Sequence, residues 1–175
     1  MKRKLIAAGA VASALCGFAL GAQAPLPATD VTASAIQAAL KQAPRDTVSD
    51  QPLRVVDAGG YNVGVYVVYR PKSAARTPVL HDTKVSEIYY VLEGGGTLLT
   101  GGTLAGQTRA PDANGPLAAV NTARGTRIAG GQSRRIAKGD VVVIPGHVPH
   151  AWTDSDGDLA YLVIRPDPER KLPLK

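Results

Sequence analysis

Residues 81–100 read HDTKVSEIYYVLEGGGTLLT, and residues 139–155 read GDVVVIPGHVPHAWTDS. In the first stretch Glu87, Tyr89 and Val91 take alternate positions, which puts them on one face of a strand; in the second, His150 and Trp152 share a face in the same way. Gly94-Gly95-Gly96 reads as a hairpin turn. No helix follows it, so it is not a phosphate cradle. Outward from these stretches the chain keeps the same rhythm of short Val/Ile/Tyr/Leu runs. They are Leu53–Val56, Asn62–Arg70, Glu87–Leu92, Thr97–Thr100, Thr126–Ile128, Ser133–Ile136, Asp140–Ile144, Ala151–Thr153 and Leu159–Arg165, with glycine pairs or Lys138-Gly139-Asp140 between many of them. Short strands so spaced argue for an all-β antiparallel sandwich or barrel.

Residues 103–123 break the rhythm with Pro111, Asp112, Asn114, Gly115, Pro116 and Asn121, and read as a long loop or a loosely paired excursion. Ahead of the strands, residues 25–52 form a leader. In it Thr29 or Asp30 caps a short helix with Val31, Ile36 and Leu40 near one face, and Pro44 ends that helix. Residues 53–165 form the barrel domain. The tail, 166–175, has prolines and mixed charges and is expected to drape over the surface.

The first 24 residues read differently. Lys2, Arg3 and Lys4 precede an uncharged Ala/Leu/Gly run, Leu5–Leu20, and small residues follow: the layout of a secretory signal peptide. Cleavage after Ala24 or after Gly21 fits the small-residue rule. Leu15 before Cys16 argues against lipidation. Removing this segment lowers the formal charge from +6 to +3 and takes away the only cysteine. The remaining chain of about 150 residues can bury one core. It can have no disulfide framework, thiolate metal site or cysteine nucleophile. Its charge is scattered, which argues against a nucleic-acid partner, and no later apolar run is long enough for membrane insertion after cleavage. The protein is therefore expected to be exported, periplasmic or secreted.

Histidine occurs three times, at His81, His147 and His150, each beside a turn between β-runs, and Glu87 follows His81 by six positions. Two imidazoles and a carboxylate form the ligand set suited to Fe(II) and related divalent ions. The spacing of Ala75, His81, Thr83, Glu87 and Gly94, and then of Gly139, Pro145, His147, His150 and Asp154, resembles the two motifs of the cupin superfamily, in the right order. With the flanking β-runs the resemblance extends over Leu53–Arg165. It implies a cupin-type jelly-roll β-barrel in which His81, Glu87 and His150 hold one divalent metal, Fe, Mn or Zn. Four positions depart from the pattern. Thr83 replaces the second histidine of the first motif, His147 replaces a glycine of the second, and Ala75 and Asp154 replace a glycine and an asparagine. His147 can be read as a fourth ligand, as a proton carrier or as a residue facing solvent.

A three-ligand site leaves coordination positions for water or substrate. Tyr66 and Tyr89 are candidate acid/base or binding groups, and Trp152 is either a pocket wall or core. Arg134-Arg135 and Arg124/Arg127 are read as a solvated strand face rather than the mouth of an anion site. No nucleophile elbow, P-loop or dinucleotide fingerprint is present. Two functions follow. One is a metalloenzyme of oxygenase, isomerase or lyase type acting on a small molecule. The other is a non-catalytic barrel that binds a carbohydrate, aromatic or carboxylate ligand. A homodimer is compatible with either.

Overall fold

Alternation of apolar residues along the chain gives strands, and the glycines and prolines between them set where the strands end. A computed structural model describes residues 26–109 and 118–175. The expected signal segment lies outside these residues, as does the middle of the 103–123 stretch. The described elements are helix α1 (Ala33–Gln42) and strands β1 (Ser49–Asp57), β2 (Asn62–Arg70), β3 (Val79–His81), β4 (Glu87–Glu93), β5 (Gly95–Thr100), β6 (Thr103–Ala105), β7 (Thr108–Arg109), β8 (Thr122–Arg124), β9 (Arg127–Ala129), β10 (Gln132–Ala137), β11 (Val141–Ile144), β12 (His150–Ser155) and β13 (Leu159–Asp167). They build a five-stranded sheet, β1-β2-β13-β4-β11, and a six-stranded sheet, β10-β5-β12-β3-β8-β7, while β6 and β9 pair with each other. The pairings are antiparallel. The two large sheets enclose a core that includes Tyr66, Val91, Leu98, Ile144, Trp152, Leu159 and Val163. This is a jelly-roll β-barrel.

Gly94-Gly95-Gly96 is not a hairpin turn. The strand before it belongs to the five-stranded sheet and the strand after it to the six-stranded sheet, so the chain turns a corner between layers. Gly94 has φ +80°, and a Cβ there would lie 2.4 Å from the Asp158 carbonyl oxygen; at Gly96 a Cβ would lie 2.3 Å from the Asp154 carbonyl oxygen. The glycines answer to close backbone approach. The 103–123 stretch carries β6, β7, a short 3₁₀ turn at Ala118–Val120 and the start of β8, so its described part is a loosely paired excursion.

The helix cap is Thr32 rather than Thr29 or Asp30: its hydroxyl accepts the Ala35 N–H at 3.2 Å. Ala43 is extended, as the residue before a proline prefers. Leu40 and Ala43 pack on Val67, Tyr69 and Ala160, so the helix covers part of the outer face of the five-stranded sheet. The leader is shorter than its composition suggested, because β1 begins at Ser49 and pairs with β2 from there. The tail also departs from expectation. Leu172 is buried in the core, its N–H bonds Asp167 at 2.7 Å, and its carbonyl accepts from Asn62 at 2.9 Å. Lys175 and Val55 exchange both backbone hydrogen bonds. Among the described residues no helix is long and apolar enough to cross a membrane.

Candidate metal centre

Three strand ends converge between the sheets. His81 closes β3 and His150 opens β12, both in the six-stranded sheet; Glu87 opens β4 across from them. All three are buried, and one donor atom from each lies within 4.8 Å of the others. Glu87 Oε1 is 3.5 Å from His81 Nε2, and Oε2 is 3.2 Å from His150 Nε2.

The far side of each imidazole is anchored. His81 Nδ1 is 2.9 Å from the Thr122 hydroxyl, and His150 Nδ1 is 3.0 Å from the Val148 carbonyl oxygen. A carbonyl only accepts, so the hydrogen-bond network assigns the proton of His150 to Nδ1. Nε2 then faces the Glu87 carboxylate across 3.2 Å, where either a proton on Nε2 or a bound cation satisfies both atoms. The second hydrogen bond on each imidazole is also what orients histidine ligands at metal sites. Two nitrogens and an oxygen suit Fe(II), Mn(II) or Zn(II), so the residues fit a divalent ion.

Glu87 has further partners that its sequence context did not reveal. Arg165 donates to Oε1 from Nε at 2.9 Å, with Nη2 at 2.8 Å, and reaches Asp50 through Nη1 at 3.2 Å and Nη2 at 2.7 Å. The guanidinium lies 4.1 Å from the centre of the Tyr66 ring. The Tyr89 hydroxyl donates to Oε2 at 3.0 Å. Burial alone would raise the Glu87 carboxyl, but the charges of Arg165 and His81 and the hydrogen bonds of both histidines outweigh it. They hold the group well below the usual carboxylate range. Burial, helped by the negative charge of Glu87, pushes the Tyr89 phenol well up. Tyr89 is therefore a protonated donor that orients Glu87, not a ready base. Burial would lower Arg165, but Asp50 and Glu87 raise it further.

A cavity of about 430 Å³ opens beside the triad, with His81, Glu87, Tyr89 and His150 in its wall. Tyr66 and Trp152 are not among the wall residues. Tyr66 instead lies against Arg165, and Trp152 packs on Tyr161 at 5.7 Å between ring centres as core. His147 stands outside the cluster: its ring is exposed, its φ is +59°, and its Nδ1 lies 3.2 Å from Asp82. It fills a glycine position of the motif, and the backbone turns there in the left-handed region and carries the ring away from the other two histidines. Thr83 is buried, with its hydroxyl accepting the Val85 N–H at 3.3 Å, so it serves the turn. Of the arginines expected on a solvated face, Arg124 lines the cavity. Arg134 bonds Thr100 and Arg135 pairs with Asp156.

These observations define the class. The fold is a jelly-roll barrel of two antiparallel sheets, and residues of the two motif stretches meet between them. No family model matches the chain, and no curated protein matches it in sequence. Among solved structures it is similar to the EutQ protein of Clostridium difficile, at 13% identity over 70% of this chain and 69% of that one, TM-score 0.40. It is similar to oxalate oxidase at 18% identity over 74% and 55%, TM-score 0.43, and so spans about half the length of that chain. KdgF from Halomonas sp. is similar at 18% identity over 69% and 78%, TM-score 0.39. Likeness at this level has no bearing on activity.

Proposed function

We propose that this is an exported, divalent-metal-dependent cupin that acts on a small molecule held in the cavity beside His81, Glu87 and His150. One observation carries the reading: three buried donors of metal-ligand type lie within 4.8 Å of one another in the wall of a cavity. When bound, the metal would supply Lewis-acid polarisation of a substrate oxygen or an activated water. The chain's own residues have defined tasks. Val148 and Thr122 fix the rings of His150 and His81. Arg165 keeps Glu87 ionised and in one orientation, and Tyr89 holds its second oxygen. Asp50 balances the charge that Arg165 brings into the interior. The class of reaction is oxygenase, isomerase or lyase.

A non-catalytic binding barrel is the second reading: the Tyr89 hydroxyl beside the triad is engaged as a donor to Glu87. Elemental analysis of the full chain tests the metal. Native protein purified without chelators is expected to carry one equivalent of a divalent ion, and His81→Ala and His150→Ala are expected to carry none. Metal-free native protein would remove the reading. His147→Ala is expected to keep the full complement. Export rests on the charged and apolar composition of the first 24 residues, and N-terminal sequencing of protein recovered outside the cytoplasm tests it.

A further inference from the structure

The charges around the cavity point to the chemistry of its occupant. Arg70 ends β2 in register with Asn62, Gly64, Tyr66 and Val68 on the inner face of the five-stranded sheet. Its Nη1 donates to the Ala75 carbonyl at 3.0 Å, and its guanidinium lies beside the Tyr161 hydroxyl. Arg124 ends β8 opposite Val79, on the other sheet, and is exposed. Both line the cavity, as do Asp46, Asp50, Glu87 and Arg165. Arg165 is the guanidinium bound to Glu87 and Asp50. Among the described wall residues, arginines and carboxylates are equal in number. A divalent ion at the triad would add two positive charges to that set, beside a cavity of about 430 Å³. A cleft with that surplus of positive charge favours a negative guest.

We propose that the occupant is a small carboxylate, with a carboxyl group toward the His81–Glu87–His150 centre and its charge met by Arg70 and Arg124; this rests on the metal reading above. A guanidinium fork matches carboxylate and phosphate alike. Helix α1 lies on the outer face of the five-stranded sheet, so it offers the cavity no N-terminus of the kind that cradles phosphate, and the described wall is built from strands and their connections. That favours the carboxylate.

Titration of Mn(II)-loaded full-length protein with malonate, malonamide and inorganic phosphate tests the proposal, with calorimetry for affinity and elemental analysis for retained metal. Malonate is expected to bind at least about tenfold more tightly than its neutral diamide. Arg124→Gln and Arg70→Gln are each expected to weaken malonate about tenfold with manganese content unchanged. Arg70→Lys, which keeps a charge at a site where folding could suffer, is expected to weaken it less. Arg135→Gln, paired with Asp156 outside the cavity wall, is expected to leave malonate binding unchanged. Equal binding of diamide and diacid, tighter binding of phosphate, or indifference to both cavity arginines would overturn the proposal. Manganese-loaded protein that ignores malonate would sink this proposal and leave the metal reading standing. Protein that takes no manganese yet binds malonate through the arginines would remove the metal reading and, with it, the placement of the carboxyl group at the triad, and failure of both bindings would remove both.

Discussion

The two faces of the five-stranded sheet invert the usual placement of charge. On the inner face, β4 presents Glu87 and Tyr89, and β13 presents Tyr161, Arg165 and Asp167; Glu87 and Arg165 are each 2% exposed and Asp167 is fully buried. On the outer face of the same sheet, beyond the reach of α1, Tyr90 is 41% exposed and Val141 and Val143 are each 61% exposed. Apolar residues on the surface are common in folded proteins, so the informative half of the contrast is the buried charge. Ions placed inside a barrel cost desolvation that a hydrophobic pair would not, and they persist here because each has a partner. The inner face is built to hold a carboxylate in one state and one orientation. The outer face is built to pair strands and to seat a helix.

The largest effect expected from breaking this contrast is at Arg165. Arg165→Met leaves Glu87 and Asp50 without their shared counter-charge, and urea denaturation of the metal-free protein should show a loss of about 3–5 kcal/mol. Adding Glu87→Gln should recover part of that loss, because the second change removes the stranded ion. Additive losses in the double variant would mean that the buried pair is not what the inner face depends on.

Alkaline pH probes the same face. Burial raises the phenols of Tyr66, Tyr89 and Tyr161 above their ordinary value of 10.0. A group whose folded pKa lies above its unfolded one contributes stability that is complete below the unfolded value. That stability is lost as pH rises through the folded value. Stability should therefore hold up to about pH 10 and fall above it. These three of the six tyrosines should add no tyrosinate absorbance until the chain unfolds. Their ionisation in protein that is still folded would contradict the enclosed polar interior.

How much of this could be read from the residues depends on whether the information is local. His81, Glu87 and His150 were legible because motif spacing and strand alternation survive in one dimension. Arg165 was not picked out, although a signal existed: it has the same parity as Tyr161 and Val163 on β13, which puts it indoors. A charged residue near a strand end ordinarily reads as the exit to solvent, and its partner Asp50 fell in a stretch read as leader. The Gly94–Gly96 corner misled for a different reason. Turn chemistry says that the chain bends, but which sheet receives the next strand is decided by distant pairings such as Trp152 with Leu98. Leu172 is similar: one leucine in a polar, proline-bearing tail has no periodicity to announce that it enters the core.

The helix-covered part of the outer face should respond at an intermediate level. Leu40 is 8% exposed and packs with Val67, Tyr69 and Ala160. Leu40→Ala should cost about 2 kcal/mol, at the low end for buried leucines, because a surface helix can settle into part of the space. Metal content should not change, since α1 packs on the side of the sheet away from the triad. A fall in bound metal in this variant would show that the two faces are coupled through the strands.

The smallest effect is expected at Val143, and it decides what the bare part of the outer face is for. Among the described residues β11 is the last strand of its sheet, so it presents an edge as well as exposed valines. If that surface meets only water, Val143→Thr keeps the β-branched shape, removes one methyl already in solvent, and should shift stability by less than about 0.5 kcal/mol. The melting temperature should then be independent of protein concentration. If a second copy covers the strand, the hydroxyl would be buried at the contact. The loss would be larger, and the melting temperature of the native chain would rise with concentration. A concentration-independent melt with a near-neutral Val143→Thr keeps the contrast between the faces as drawn: ions whose removal costs several kcal/mol on one side, and valines that carry almost no energy on the other.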